Sequence, residues 1–258
     1  NRFIHPQDKA AMDALKKIPG FDLLVKNYMK FFDEKFMHGM NMATKVRLGP
    51  KQLPQIHEML LDVCKVLEIN EPELYLEMGP NNAYTFGDTR PFIVLHSGLI
   101  NALTIDEIKS VIAHECGHIL CRHSLYSSLA IFILKYGIDA FGLAASVITP
   151  IYWSLLYWMR RSEFSADRVE TFVMGDPMIV ASKLLKLSGG FLFTHNIKLD
   201  LVEYLKQAEN YQELIDFSKV NKLMQAWAIK DRVHPFPVIR AIEAKKWYED
   251  TTGIKRTF

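Results

Sequence analysis

At 258 residues, with 49% hydrophobic and 12% aromatic residues, the chain has the composition of an ordinary globular protein, and the disorder signature is absent. The formal net charge of +2, with no basic stripe interleaved with aromatics, gives no case for nucleic acid as a partner. Three cysteines, Cys64, Cys116 and Cys121, are too few and odd in number for a disulfide framework and fit a reducing compartment.

The chain starts at Asn1 rather than at a methionine, so the lack of a signal peptide decides nothing about targeting. Asp8 is placed to cap a helix running to Ile18, and Pro19-Gly20 stops it. A second helix is expected from Phe21 to about Gly39 and a third from about Gln52 to Glu68. The character then changes between Glu73 and Ile100. ELYLEMG, NAYTFG and PFIVLHSGLI are short, rich in β-formers and separated by Gly, Pro and Asn, which predicts a small antiparallel sheet of about three strands. Thr104 followed by Glu107 is a capping box that opens the next helix. Onward to Phe258 the pattern is almost wholly helical, without repeats, low-complexity tracts or linkers. The reading is one α+β domain over 1–258, predominantly helical. It divides into N-terminal helices (1–70), the sheet (71–103), a histidine-bearing helix (104–123), an apolar helical hairpin (124–161), and a carboxylate-bearing helix with the C-terminal helices (162–258).

The helix opened by Thr104 reads VIAHECGHILCRHS over residues 111–124. His114 and His118 are four apart and project from one helix face, where two imidazoles can hold one zinc ion. Glu115 then lies beside the metal's open position, able to take a proton from bound water, which is the HExxH arrangement. Val111, Ile112, Ala113, Ile119 and Leu120 make the helix apolar almost all round, as in a buried helix. Two histidines and a carboxylate buried there without partners would be costly, and zinc would relieve that cost.

A catalytic zinc needs a third protein ligand and an open fourth position. His123 lies five residues beyond His118, about 140° around a continuing helix, so it falls to packing or an outer hydrogen bond. Glu163 in RRSEFSADRVE is the better candidate. Asp167 is four residues on, so a second helix could offer one carboxylate to zinc and the next to a ligand histidine. With Arg160, Arg161 and Arg168 nearby, an exposed charged face is the competing reading. Cys116 points away from the histidines, and it and Cys121 are read as packing residues.

Taken together, these residues resemble the HtpX and CAAX-prenyl-protease family of zinc metallopeptidases, within the gluzincins. HPQDKAAMDALKKIPG (5–20), NAYTFG (82–87), IVLHSGLI with LTIDEIKSVIAHECGHILCRHS, SEFSADR, and VHPFPVIR (233–240) occur in the family's order, so the resemblance covers nearly the whole chain. It implies a zincin-like domain with the sheet packed beside the HExxH helix and one zinc per chain, held by His114, His118 and Glu163. Glu115 is implied as general base and acid, Asp167 as the partner of a ligand histidine, His234 as a donor to the tetrahedral intermediate, and Arg240 as the arginine after the His-Pro element. It further implies that Asn82, Ala83 and Tyr84 bind a polypeptide substrate as an extended strand on the sheet edge. The expected activity is zinc-dependent endopeptidase, in which the metal polarises the scissile carbonyl and Glu115 deprotonates the attacking water. The alternative is a zinc-containing, chaperone-like binding module with little peptidase activity.

Family members such as HtpX are integral membrane proteins. Here Ala140–Met159 is free of charge and long enough for one span, but Glu163 must reach the same zinc as His118, so crossings must be even in number. Two crossings need about forty apolar residues. Leu125–Met159 offers thirty-five, interrupted by Lys135 and Asp139. The expectation is a hairpin packed on the domain, with an intracellular (cytoplasmic) or peripherally membrane-associated location.

Overall fold

The computed structural model describes residues 2–31, 33–136, 144–189, 199–229 and 232–254. Its N-terminal part holds α1 (Pro6–Leu15), α2 (Phe21–Phe31), α3 (Glu34–Thr44), the short strand β1 (Val46–Arg47) and α4 (Pro54–Leu67). Pro6 opens α1, where its missing N–H costs nothing, and the side chain of His5 caps it. Asp8 is therefore not the cap; it lies inside α1 and its carboxylate is buried. The expected helix from Phe21 to Gly39 is two helices, because Asp33 caps a new start at Glu34 through the Lys35 N–H.

The sheet contains β2 (Glu73–Glu77), β3 (Ala83–Phe86) and β4 (Phe92–His96) as expected, with β1 as a fourth strand, in the order β1-β2-β4-β3. It is mixed rather than antiparallel. β3 and β4 pair antiparallel, so β4 returns beside β2 in parallel, and β3 is left as the edge strand. One face packs Leu74, Ile93 and Leu95 with apolar residues of α4 and of the long central helix α6 (Ile105–Leu120), which follows α5 (Ser97–Ala102). The capping box is formed as read, with Glu107 accepting from the Thr104 N–H and Thr104 Oγ1 accepting from the Glu107 N–H.

After α7 (Ser124–Tyr136) comes α8 (Ala145–Met174), thirty residues long, then α9 (Pro177–Gly189), α10 (Leu201–Asp216), α11 (Lys219–Ala228) and α12 (Pro237–Thr252). The expected division at 161/162 falls inside α8, one helix that joins the apolar arm to the carboxylate segment. The two arms of the expected hairpin are α7 and the first half of α8; residues 137–143 between them lie outside the described residues. Their apolar side chains Leu129, Ile133, Ile148, Ile151, Leu155 and Trp158 pack with Leu15, Phe21, Leu24 and Tyr28 of α1 and α2. Burial in protein accounts for these side chains, while Leu134, Val147, Trp153 and Tyr157 of the same arms are exposed, and among the described residues no helix is long and apolar enough to cross a membrane.

α6 and α8 meet at Gly117. A Cβ there would lie 3.0 Å from Ala166 Cα and 3.1 Å from its carbonyl oxygen. The glycine inside HECGH thus lets the backbones approach closely enough for a short carboxylate on α8 to reach histidines on α6.

Candidate metal centre

His114 and His118 on α6 and Glu163 on α8 converge in the interior. The two Nε2 atoms are 3.2 Å apart. Glu163 Oε2 stands 3.4 Å from His114 Nε2, and Oε1 3.3 Å from His118 Nε2. Ligands at 2.0–2.1 Å around a tetrahedral ion are about 3.3 to 3.4 Å apart, and each histidine stands at that spacing from the other and from one Glu163 oxygen, so this donor set suits zinc. Glu163 Oε2 is buried and receives no aligned hydrogen bond, although Arg240 Nη1 at 3.0 Å and His234 Nδ1 at 3.1 Å lie close. A buried carboxylate oxygen in that condition suits a cation.

The other ring nitrogen of His114 faces carboxylates, with Asp167 Oδ1 at 3.1 Å and Glu170 Oε2 at 3.3 Å. That places the proton on Nδ1 and directs the Nε2 lone pair at the cluster. Each outer carboxylate has its own cation. Arg240 donates to both oxygens of Asp167 at 2.8 and 2.6 Å, and buried Lys183 to both oxygens of Glu170 at 2.6 and 2.7 Å. Ser110 also donates to Glu170. His114, Asp167 and Glu170 form a second group with metal-ligating atoms, but both carboxylates are already engaged by these cations.

Burial alone would lift the Glu163 carboxyl. The charges of His234 and Arg240, with His114 and His118 close beside it, outweigh it and hold the group well below the usual carboxylate range. Burial opposes protonation of His114, but Asp167, Glu163 and Glu170 prevail and push it well above the ordinary histidine range. The pocket therefore favours positive charge at the His114 imidazole, which is the field a metal cation would meet.

Glu115 is buried beside the cluster, and Thr85 Oγ1 on β3 donates to its Oε2 at 2.7 Å. A cleft of about 210 Å³ opens onto Glu115, His114 and Glu163, walled by Asn82 and Ala83 on one side and by His234 on the other. The His234 side chain is 55% exposed, so it is reachable from the cleft while touching Glu163.

Of the ten expected site residues, Asn82, Ala83, His114, Glu115, Glu163, His234 and Arg240 line one cleft, His118 and Asp167 lie directly against its lining residues, and Tyr84 is turned to the sheet's far face. Sequence reasoning missed Glu170, Lys183 and Thr85. Glu170 had a signal, since it is seven residues beyond Glu163 and shares its helix face. Thr85 follows Tyr84 and must point to the opposite face of β3, toward α6. Lys183 carried no local signal.

His123 is a correction of geometry. α6 ends at Leu120, and Arg122 is left-handed (φ 59°), with the Arg122 N–H bonded to Ile119 O and the His123 N–H to His118 O. This Schellman-type reversal returns the His123 ring to His118, with the two Nδ1 atoms 3.0 Å apart, rather than 140° around a continuing helix.

Residues 50–209 match the profile of peptidase family M48, and the chain belongs to that family. It is 33% identical over 255 residues to the plastoglobule-localized metallopeptidase 48, chloroplastic, of Arabidopsis thaliana, covering 95% of this chain and 72% of that protein. It is also similar to protease HtpX homolog 2 of Methanosarcina acetivorans (25% over 169 residues, 55% of this chain and 58% of the relative). The protease HtpX homolog of Helicobacter acinonychis is 29% identical over 167 residues, 53% of each chain. The chain thus spans little more than half the length of these two HtpX homologues. No solved structure matches it. The family makes the chain a metal-dependent peptidase with polypeptide as its substrate class.

Proposed function

We propose that the chain is a zinc endopeptidase (a zinc metalloendopeptidase) that binds one zinc through His114, His118 and Glu163 and cleaves polypeptides held against β3. The observation that carries the reading is the convergence of two histidines and a carboxylate from two helices, with the Nε2 atoms 3.2 Å apart, Glu163 Oε2 3.4 Å from His114, Oε1 3.3 Å from His118, and Glu115 beside them. When bound, zinc supplies Lewis acidity toward the scissile carbonyl and toward water. Glu115 takes the proton of the attacking water and returns it to the leaving amine. Thr85 holds Oε2 of Glu115, leaving Oε1 to carry that proton. His234 donates to the oxygen that gains negative charge, while Asp167, tied by Arg240, keeps the His114 ring in place. Metal content measured with and without peptide cleavage tests this reading.

The single-domain organisation is part of the proposal, and the meeting of α6 and α8 with Arg240 of α12 at one centre supports it. Peripheral rather than spanning membrane association is proposed as well. The name of the Arabidopsis relative, plastoglobule-localized and chloroplastic, sets such a compartment beside the cytoplasm.

His234→Phe is expected to lower kcat by roughly 10²- to 10³-fold with a smaller rise in KM, because the contact strengthens only as charge develops. Zinc content and Tm should hardly move. A destabilised but catalytically normal enzyme would strike His234 from the site.

The ladder refines the substrate strand. Asn82 O accepts from the His96 N–H at 3.0 Å, so the hydrogen-bonded pairs of β3 and β4 fall at Asn82, Tyr84 and Phe86. Ala83 and Thr85 therefore turn their N–H and C=O to the open edge. Asn82 and Tyr84, expected as substrate contacts, point their backbones at β4. Beside this edge an apolar cleft of about 460 Å³, lined by Phe36, Tyr84, Phe86, Ile131 and Phe132, shares Asn82 with the first and would take an apolar substrate side chain. Ala83→Pro removes one outward N–H and leaves the β4 pairs intact, so KM should rise about 3- to 10-fold, one hydrogen bond's worth. Unchanged KM would remove the edge from substrate binding.

A further inference from the structure

We infer that Asp8 and His123 form a positioning relay that fixes which nitrogen of His118 carries its proton, making α1 a part of the metal centre. The inference rests on the metal reading above. It uses a residue, Asp8, that lies outside the matched span 50–209.

The relay is a buried chain. His118 Nδ1 lies 3.0 Å from His123 Nδ1, and His123 Nε2 lies 3.0 Å from Asp8 Oδ2. Asp8 also meets Trp158 Nε1 at 2.8 Å through Oδ1 and Ser165 Oγ at 2.5 Å through Oδ2. Asp8 and His123 are 3% exposed, Trp158 1% and Ser165 0%, so these bonds are withdrawn from bulk solvent.

Elementary donor rules give the chain a direction. An indole N–H only donates, so Asp8 Oδ1 accepts. The backbone N–H of His5 donates to Ser165 Oγ at 2.9 Å, which leaves the Ser165 hydroxyl proton for Asp8 Oδ2. Asp8 is then a carboxylate receiving three donors, and His123 Nε2 must be the third. With its proton on Nε2, neutral His123 presents a bare Nδ1 to His118. His118 must therefore carry its own proton on Nδ1, and its Nε2 lone pair faces Glu163 and His114. The orientation of a ligand imidazole on α6 is thus set from α1, 115 residues apart in sequence between Asp8 and His123.

Asp8→Asn is the discriminating change, because it preserves shape but cannot serve all donors. If the amide oxygen faces His123, the NH₂ meets the Trp158 N–H. If it faces Trp158, the NH₂ meets His123 Nε2, which forces the other tautomer and sets two N–H groups against each other at His118. Trp158→Phe is the comparison, since it removes one bond to Asp8 and leaves the His123 link.

The test uses the zinc-loaded full chain and follows zinc release to a chelating dye, with Tm of each metal-free form alongside. Asp8→Asn should release zinc about 10- to 100-fold faster, as for loss of an outer partner. Trp158→Phe should lower Tm with a much smaller change in release. Equal release rates for the two variants would overturn the relay. Histidine ¹⁵N spectra of the unaltered loaded chain need no variant to fold. They should show His123 protonated at Nε2 and bare at Nδ1, and the opposite tautomer would also overturn it. A chain that takes up no zinc at all would instead overturn the metal reading, and the relay with it.

Discussion

Glu115→Gln is expected to retain one zinc per chain while cleavage falls by roughly 10²- to 10⁴-fold, the usual contribution of a general base. The substitution leaves His114, His118 and Glu163 untouched and changes no volume in the cleft. Thr85 Oγ can still donate to the amide oxygen as it does to Glu115 Oε2, so the side chain keeps its place. What is lost is the ability to accept a proton from water and hand it to the leaving amine. Tm should stay near that of the unaltered protein. Near-normal turnover in this variant would remove Glu115 from the mechanism.

Glu163→Ala is expected to abolish both stoichiometric zinc and activity, because two histidines alone make a poor site. Stability should fall too. Glu163 is 4% exposed with Arg240 Nη1 3.0 Å away, and removing one partner of a buried ion pair costs about 3–5 kcal/mol. The metal measurement must therefore be made on the folded fraction. His123→Ala is the companion variant, since it changes a buried histidine in the same neighbourhood without removing a ligand atom. It should be purified with zinc and release it faster, whereas Glu163→Ala should hold none. A full equivalent of zinc in folded Glu163→Ala would show that the third ligand is another group.

The metal helix was legible because its information is local. The capping box, the four-residue histidine spacing and the apolar surround all lie within Thr104–Leu120, and α6 carries them as read. Glu163 and Asp167 were legible as a spacing on one helix, but nothing local showed which helix they would face. That depends on Gly117 admitting Ala166, a contact between residues 49 apart in sequence. The sheet was legible as strands and not as topology. β1 is only two residues long, too short for any period, and β4 is inserted between β2 and β3 by a fold-back that strand propensity does not encode. Asp8 shows how a correct local rule misleads. An acidic residue near a helix start resembles a cap, yet here Pro6 and His5 make the start and leave the carboxylate free for His123. His123 was misplaced because the helix was extended past Leu120, and a left-handed arginine gives little warning of a stop.

Zinc content and peptide cleavage, measured together on one preparation of the chain, test the central claim most directly. The account predicts one zinc per chain and cleavage of a peptide library that disappears with a chelator and returns when zinc is restored. Stoichiometric zinc without cleavage would indicate a binding module instead. Absence of bound metal, or cleavage indifferent to the chelator, would contradict the account outright.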